Sequence, residues 1–373
     1  MIIGIDGNEA NVENKVGIGE YAYELLVQFH KIYSKRSDLK FRVYLKNPPR
    51  LEMPVPSVSW QYKVVKPGKL WTRIGLPLKL FTENSKPDVF FTPTHYGPRF
   101  SPVPTVISIM DLSYIHFPEL FRKNDLYQLL NWTKFSAKKA KKIFTISEFS
   151  KNDIIKAYKK ASADVVVTYP GIKPIGSSKV HKILNMQDLS KKFGINKNYI
   201  LFVGTLQPRK NIEKLVEAFS KLQEKDLQLI IVGKKGWLYE NILTSPDKFG
   251  VSDKVKFLDF VEDEDLPSIY KNALCFVLPS LYEGFGLPVL EAMKYGCPVL
   301  VSNVSSLPEA GGEAALYFDP NNVNDMSKAI EKVISNEKLR QDMIKKGYNQ
   351  IKKFSWEKTA KETLKVLESI ANE

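Results

Sequence analysis

Apolar, strand-like runs alternate with helix-like segments along this chain, and the alternation runs through it twice. In the first half, residues 2–5, 41–45, 89–91, 105–109 and 142–146 read as buried strands. Residues 19–31, 126–139 and 152–159 read as helices, the last capped by Ser150. Strands alternating with helices argue for βαβ units and parallel sheets. The pattern breaks at Tyr169-Pro170-Gly171-Ile172-Lys173-Pro174 and then restarts, with strands at 199–203, 227–232, 255–257, 275–278 and 298–301. A restart after a Pro/Gly stretch places a domain boundary near 170–195. A chain of 373 residues is too long for one typical core and suits two.

Composition narrows the class. Hydrophobic residues make up 43% and charged residues 26%, ordinary values for a globular protein. No apolar run approaches the ~20 residues that span a bilayer. The opening Met1-Ile2-Ile3-Gly4-Ile5-Asp6 lacks the basic and long apolar segments of a secretory signal. Cys275 and Cys297 lie in apolar surroundings and read as buried free thiols. The expected location is the cytoplasm. Charge is uneven: residues 1–170 hold 26 Lys+Arg and 15 Asp+Glu, leaving 55 − 26 = 29 and 41 − 15 = 26 for the rest. The first half is therefore basic by 11 charges and the second by 3. Such a half suits an anionic ligand or an anionic membrane surface, or is a solvated basic face.

The richest local pattern is Glu283-Gly284-Phe285-Gly286-Leu287-Pro288, followed by Glu291. A strand-like run precedes it and helical spacing follows Pro288, a residue favoured in a first helical turn. Strand, glycine turn and helix start present backbone N–H groups to an anion. Glu291, expected in the first helical turn, would repel a phosphate but can accept protons from a sugar or ribose diol. Together these features fit a nucleotide sugar.

Three other stretches join this one: Val16-Gly17-Ile18-Gly19-Glu20-Tyr21, Phe202-Val203-Gly204-Thr205-Leu206-Gln207-Pro208-Arg209-Lys210-Asn211, and Ser306-Leu307-Pro308-Glu309-Ala310-Gly311-Gly312, with Phe354-Ser355-Trp356 closing the series. In this order the chain resembles the family-4 retaining glycosyltransferases of the GT-B fold. The resemblance covers nearly the whole chain. It implies an α/β fold of two Rossmann-like domains facing across a cleft and closing by a hinge. The N-terminal acceptor-binding domain would take residues 1–175, the donor-binding domain 176–355, and a C-terminal helix, 356–373, would cross back to the first.

It also implies roles. Glu283 would orient the hydroxyls of the transferred sugar, and Glu291 would hold the ribose. Arg209 and Lys210 would neutralise the leaving diphosphate, following a strand end and the turn that begins at Gly204. Backbone N–H groups of Phe285, Gly286 and Leu287, in the turn begun by Gly284, would add to that anion site. Gly17 and Gly19 would let backbone approach the donor from the opposing domain. The mechanism proposed for such enzymes is front-face displacement, in which a donor phosphate oxygen takes the acceptor proton. No cofactor or metal is expected; the donor is a nucleoside-diphosphate sugar. Asp263-Glu264-Asp265 spells an Asp-x-Asp metal pattern but stands before a helix start, where acidic residues cap.

The chain departs from the pattern at one position. Many relatives carry His-Asp after the strand matching 105–109, where this chain has Met110-Asp111. Methionine neither shuttles protons nor usefully bonds a hydroxyl. Asp111 is left to orient acceptor or sugar, with His95, and more remotely His116, as the histidines placed to assist. Trp71, Ile74, Leu76 and Leu78, with Lys69, Arg73 and Lys79, form an apolar and basic segment read chiefly as packed core, or else as a membrane-edge helix.

The expected function is metal-independent transfer of a hexose to a glycan or lipid-linked acceptor, with possible peripheral contact at the inner face of an anionic membrane. The likeness around Ser306-Leu307-Pro308-Glu309 favours mannose, with glucose or N-acetylglucosamine as alternatives. A GT-B nucleotide-sugar epimerase or hydrolase would release nucleotide or invert a sugar centre without an acceptor. A non-catalytic basic membrane- or nucleic-acid-binding protein is the third reading, though the chain has no nucleic-acid motif.

Overall fold

Strands that are apolar along their whole length can sit only where both faces of a sheet are covered. Val89–Thr92, Leu227–Val232, Cys275–Leu278 and Val299–Ser302 are buried at every residue. The computed structural model describes residues 1–15, 17–33, 36–172 and 183–373. Val16 of the first glycine loop, and Lys173 and Pro174 of the expected linker, lie outside the described residues. The chain divides into two compact units. Met1–Gly171 and Ser355–Glu373 form the first, and Ile172–Phe354 the second.

Among the described residues of the first unit, seven strands form one parallel sheet: β1 (Ile2–Asp6), β2 (Lys40–Leu45), β3 (Trp60–Val64), β4 (Val89–Thr92), β5 (Thr105–Ser108), β6 (Lys142–Thr145) and β7 (Val165–Val167). Their order is β3-β2-β1-β4-β5-β6-β7, with Ile3 of β1 level with Phe41 of β2 and Val89 of β4. One face packs against the helices Ile18–Tyr33 and Trp356–Ala371, with Phe29, Leu364, Leu367 and Ile370 in the shared core. The other face is covered in part by Lys123–Lys139 and Glu148–Tyr158. The last helix therefore belongs to the first unit, and Trp356 meets Tyr21 edge-on at 5.9 Å.

In the second unit β8 (Asn198–Val203), β9 (Leu227–Val232), β10 (Val255–Leu258), β11 (Cys275–Leu278), β12 (Val299–Ser302) and β13 (Ala315–Phe318) form a parallel sheet in the order β10-β9-β8-β11-β12-β13. Each sheet thus runs outward one way from its first strand and then reverses. In open α/β sheets ligands bind beyond the carboxyl ends of the strands beside such a reversal. Those points lie between β1 and β4 and between β8 and β11.

Several local expectations change. β3, β7 and β13 escape the sequence reading; each is a sheet edge with a single buried residue, β3 is interrupted by Gln61 and Lys63, and β7 and β13 are short. The helix expected at 152–159 begins at Glu148, and Ser147, not Ser150, is its cap: the Ser147 Oγ accepts from Ser150 N at 3.0 Å. Asp265 holds the cap position before Leu266–Asn272 but makes no capping bond there; its carboxylate accepts from Lys192 Nζ at 2.6 Å instead. Cys275 and Cys297 are buried free thiols, and burial pushes Cys275 up to about 12. Among the described residues no helix is long and apolar enough to cross a membrane.

Candidate active site

In the second unit, the loops after β8 and β11 meet at the sheet reversal. β8 ends at Val203, and the chain turns through Gly204 into a tight helical turn at Pro208–Lys210. Asn211 follows in the left-handed region at φ +57°, a conformation asparagine tolerates better than most residues. Its side-chain amide donates to Pro279 O at 3.1 Å and Pro320 O at 2.8 Å, tying this turn to the ends of β11 and β13. Leu281 N donates to Arg209 O at 2.9 Å, a second tie between the loops.

This clamp sets Arg209 and Lys210 against Glu283. Lys210 Nζ lies 2.5 Å from Glu283 Oε1, and Arg209 Nη1 lies 3.1 Å from Oε2 while also donating to Tyr282 O. Ser280 Oγ donates to Oε1 at 2.6 Å. The backbone of Glu283 is fixed as well, its N–H donating to Ser305 Oγ at 3.0 Å and its carbonyl accepting from Ser306 Oγ at 2.8 Å. Glu283 is 7% exposed. Burial alone would raise its pKa, but the Lys210 and Arg209 charges and the Lys210 and Ser280 hydrogen bonds overcome it and hold the carboxyl at about 2. It is ionised at any physiological pH, and both its oxygens are engaged. Two cations and one carboxylate leave the cluster with a net single positive charge.

The turn after Glu283 ends at Gly286, with φ +102°, and the next helix is Leu287–Lys294. A Cβ at Gly286 would lie 2.8 Å from Leu307 Cδ2, so both backbone angle and space call for glycine here. The Phe285 ring is buried against Phe354 at 5.2 Å, leaving only its backbone for a ligand. Glu291 is the fifth residue of the helix. It stands in the second turn rather than the first, because the helix already starts at Leu287. There Tyr270 OH donates to Glu291 Oε2 at 3.1 Å. Burial, then the Glu291 charge, drive the Tyr270 hydroxyl well above its ordinary pKa, so it stays a donor.

The first unit carries its own group at the corresponding edge. β1 ends in the buried Asp6, which accepts from Trp71 Nε1 at 2.9 Å and from Asn8 Nδ2 at 2.6 Å. The loop beyond it reaches Gly17, at φ +51°, and Gly19 lies in the first turn of the helix Ile18–Tyr33. His95 follows β4 and Asp111 follows β5, the next strand over. His95 Nδ1 is buried without a hydrogen-bond partner among the described residues. Burial lowers its pKa, and the Asp111 charge opposes that shift, so the two groups sense one another. Asp111 itself accepts from Ser113 N at 2.9 Å and Ser113 Oγ at 2.7 Å. Met110 packs against the core. His116 is exposed and its Nε2 lies 2.7 Å from Asp153 Oδ2.

The sequence reading missed Ser280, Ser305, Tyr270 and Asp6, and it did not foresee the Glu283 ion cluster. Asn211, already part of the stretch quoted from the sequence, stands immediately before the helix Ile212–Ser220. Among the described residues no group of three or more His, Cys, Asp or Glu is placed to hold a metal ion.

The profile of the glycosyl transferases group 1 family matches residues 185–350. The chain is 33% identical over 282 residues to the O-antigen chain mannosyltransferase B of Escherichia coli, covering 72% of each. It is 32% identical over 260 residues to the serotype-specific mannosyltransferase WbdA of the same organism, covering 64% of this chain and 32% of that longer protein. By fold it is similar to Anabaena HepE, whose crystal structure holds UDP and glucose, with a TM-score of 0.73, 18% identity and 99% of both chains covered.

Proposed function

As a member of the glycosyl transferases group 1 family with the GT-B fold, we propose, this protein transfers mannose from a nucleoside-diphosphate sugar to a glycan or lipid-linked acceptor in polysaccharide assembly, with retention at the anomeric carbon and without a metal. The observation that carries the donor assignment is the Arg209–Glu283–Lys210 cluster. Breaking the anomeric C–O bond leaves charge on the departing diphosphate, which fixed cations stabilise in the transition state. Glu283 supplies their fixation: with both oxygens occupied and a pKa of about 2, it is a poor base and nucleophile. This favours front-face displacement, in which a donor phosphate oxygen takes the acceptor proton. The clamp between the two loops pre-pays the positioning of the cations.

Glu291 would accept the ribose hydroxyl protons, oriented by Tyr270. The backbone at the start of the helix Leu287–Lys294 would add donors and dipole toward the phosphates. In the first unit Asp111 and His95 would meet the acceptor, His95 as a neutral ring. Mannose is favoured because the relatives named above are mannosyltransferases. HepE was crystallised with UDP, so the base is a question for experiment. The epimerase, hydrolase and non-catalytic binding readings gain no support from these relatives.

The test is a thermal-shift panel of GDP-mannose, UDP-glucose and UDP-N-acetylglucosamine in excess chelator, followed by NMR of the product anomer. A ligand that binds only the folded state raises Tm by mass action. GDP-mannose alone should raise it, and the product should keep the donor's anomeric configuration. Arg209→Ala should slow transfer about 10²–10³-fold, as loss of one fixed charge stabiliser does. No shift with any nucleotide sugar, or an inverted product, overturns the reading.

A further inference from the structure

Beside His95, separate elements of the first unit converge on a second group of cations. The helical turn Trp71–Gly75 buries Trp71 in a core with Tyr44 and Phe90 and leaves Arg73 exposed. The loop after β4 supplies Tyr96 and Arg99, and the helix Lys123–Lys139 supplies Trp132 and Phe135. Arg73, Tyr96, Arg99, Trp132 and Phe135 line one small cleft. Arg99 N donates to Thr72 O at 2.6 Å and Gly97 N to Ser136 Oγ at 3.2 Å, so the loop is tied to both of its neighbours.

The two arginines are held in the same way. The Arg73 guanidinium lies over the Trp132 ring at 4.3 Å, and that of Arg99 over the Phe135 ring at 3.7 Å. Among the described residues neither side chain forms an ion pair or a hydrogen bond. A guanidinium resting on an aromatic face is held in place while its N–H edge stays able to fork onto an oxyanion. Trp132 Nε1 adds a buried donor with no partner among the described residues, a state that folded proteins seldom leave unfilled. Burial, then the charge of the exposed Asp125, push the Tyr96 hydroxyl up to about 12, so it too stays a donor. Among the described residues no Asp or Glu lines the cleft.

Two fixed cations, further donors and no acid match a doubly charged ligand. A carboxylate brings one charge and satisfies one fork, whereas a phosphate monoester brings about two charges and three acceptor oxygens. We propose that this cleft is a subsite for the phosphate of a phosphorylated sugar. The Tyr96 ring stands 6.0 Å from that of His95 and 5.7 Å from that of Trp132, so the subsite adjoins His95 and, through it, Asp111. Resting on the transfer reading above, the inference narrows the acceptor to a sugar that carries phosphate. The phosphate binding itself does not depend on that reading.

The experiment is titration calorimetry of the full chain with mannose 6-phosphate, mannose and glucuronate, with no nucleotide sugar present. Mannose 6-phosphate should bind, glucuronate at least tenfold more weakly, and mannose not measurably. Arg73→Gln and Arg99→Gln should each weaken phosphate binding about tenfold with Tm unchanged, and Trp132→Phe, which keeps a ring and removes the N–H, about fivefold. Arg209→Ala, in the second unit, should bind mannose 6-phosphate like the unsubstituted protein. Its loss there instead would seat the phosphate on the donor cations and overturn the proposal. So would no binding, equal binding of mannose, or arginine variants that bind normally. A mannose joined through a diphosphate to a short polyprenol, in detergent, separates the sources. Tighter binding with the same arginine dependence assigns the subsite to a lipid-borne phosphate, and binding equal to mannose 6-phosphate assigns it to the sugar's own. The GDP-mannose thermal shift of Arg73→Gln reads the donor site separately, so either proposal can fail while the other stands.

Discussion

Glu283 is the residue at which burial and charge oppose each other most directly. Its carboxyl is held at about 2 against an ordinary 4.5. A carboxyl whose folded pKa is depressed contributes stability that is complete above the unfolded value and is lost as pH falls through 4.5 toward 2. The difference corresponds to on the order of 3 kcal/mol. Urea midpoints measured from about pH 6 down to about pH 3 should therefore fall, and Glu283→Gln should flatten that slope. An identical slope in the variant would show that other carboxyls govern acid sensitivity. Tyr270→Phe makes a gentler probe, since it removes one hydroxyl from Glu291 and leaves a buried ring in place. Losing about 1 kcal/mol of orientation should weaken donor binding roughly fivefold. An unchanged Kd would remove Tyr270 from the site. The Glu283–Glu291 spacing and the Arg209-Lys210 pair were legible because each lies in one short stretch. Tyr270 and Ser305 were not, because they reach the Glu291 carboxylate and the Glu283 backbone N–H from separate elements, and no local pattern records such a meeting.

At the scale of elements, legibility followed burial. β9 and β11 are buried from end to end and were read to the residue, whereas β3, β7 and β13 were missed at the sheet edges. Helix starts were less readable, because a serine three residues inside a helix and one at its cap look alike in sequence, as at Ser147 and Ser150. Gly286 marks the junction where element geometry serves the site. With φ +102° and Leu307 Cδ2 2.8 Å from a would-be Cβ, Gly286→Ala forces a backbone shift at the start of the helix carrying Glu291. It should cost about 1–3 kcal/mol in stability and weaken donor binding. Wild-type values on both measures would show that the loop can absorb the methyl group.

Over the whole molecule, the two sheets have separate cores, and the chain returns to the first only at its last helix. Sequence alone showed the repeated α/β pattern and the charge contrast between halves, but the ownership of that helix came from a resemblance and not from its amphipathic spacing, which fits any apolar surface. The structure settles it through buried contacts: Leu364, Leu367 and Ile370 lie at 4%, 0% and 2% exposure in the core shared with Phe29 and Phe41. Leu367→Ala should thus cost about 2–5 kcal/mol, all of it drawn from the first unit. Glu283→Gln should act on the second, where every partner of that carboxylate resides. Calorimetry can separate the two, because chains with more than one core need not unfold in a single step. The expected trace has two transitions: Leu367→Ala lowers one, while Glu283→Gln and added GDP-mannose move the other. If each perturbation instead shifts one common transition, the two units unfold as a single cooperative body, and the division into independent cores fails as an account of this protein's stability.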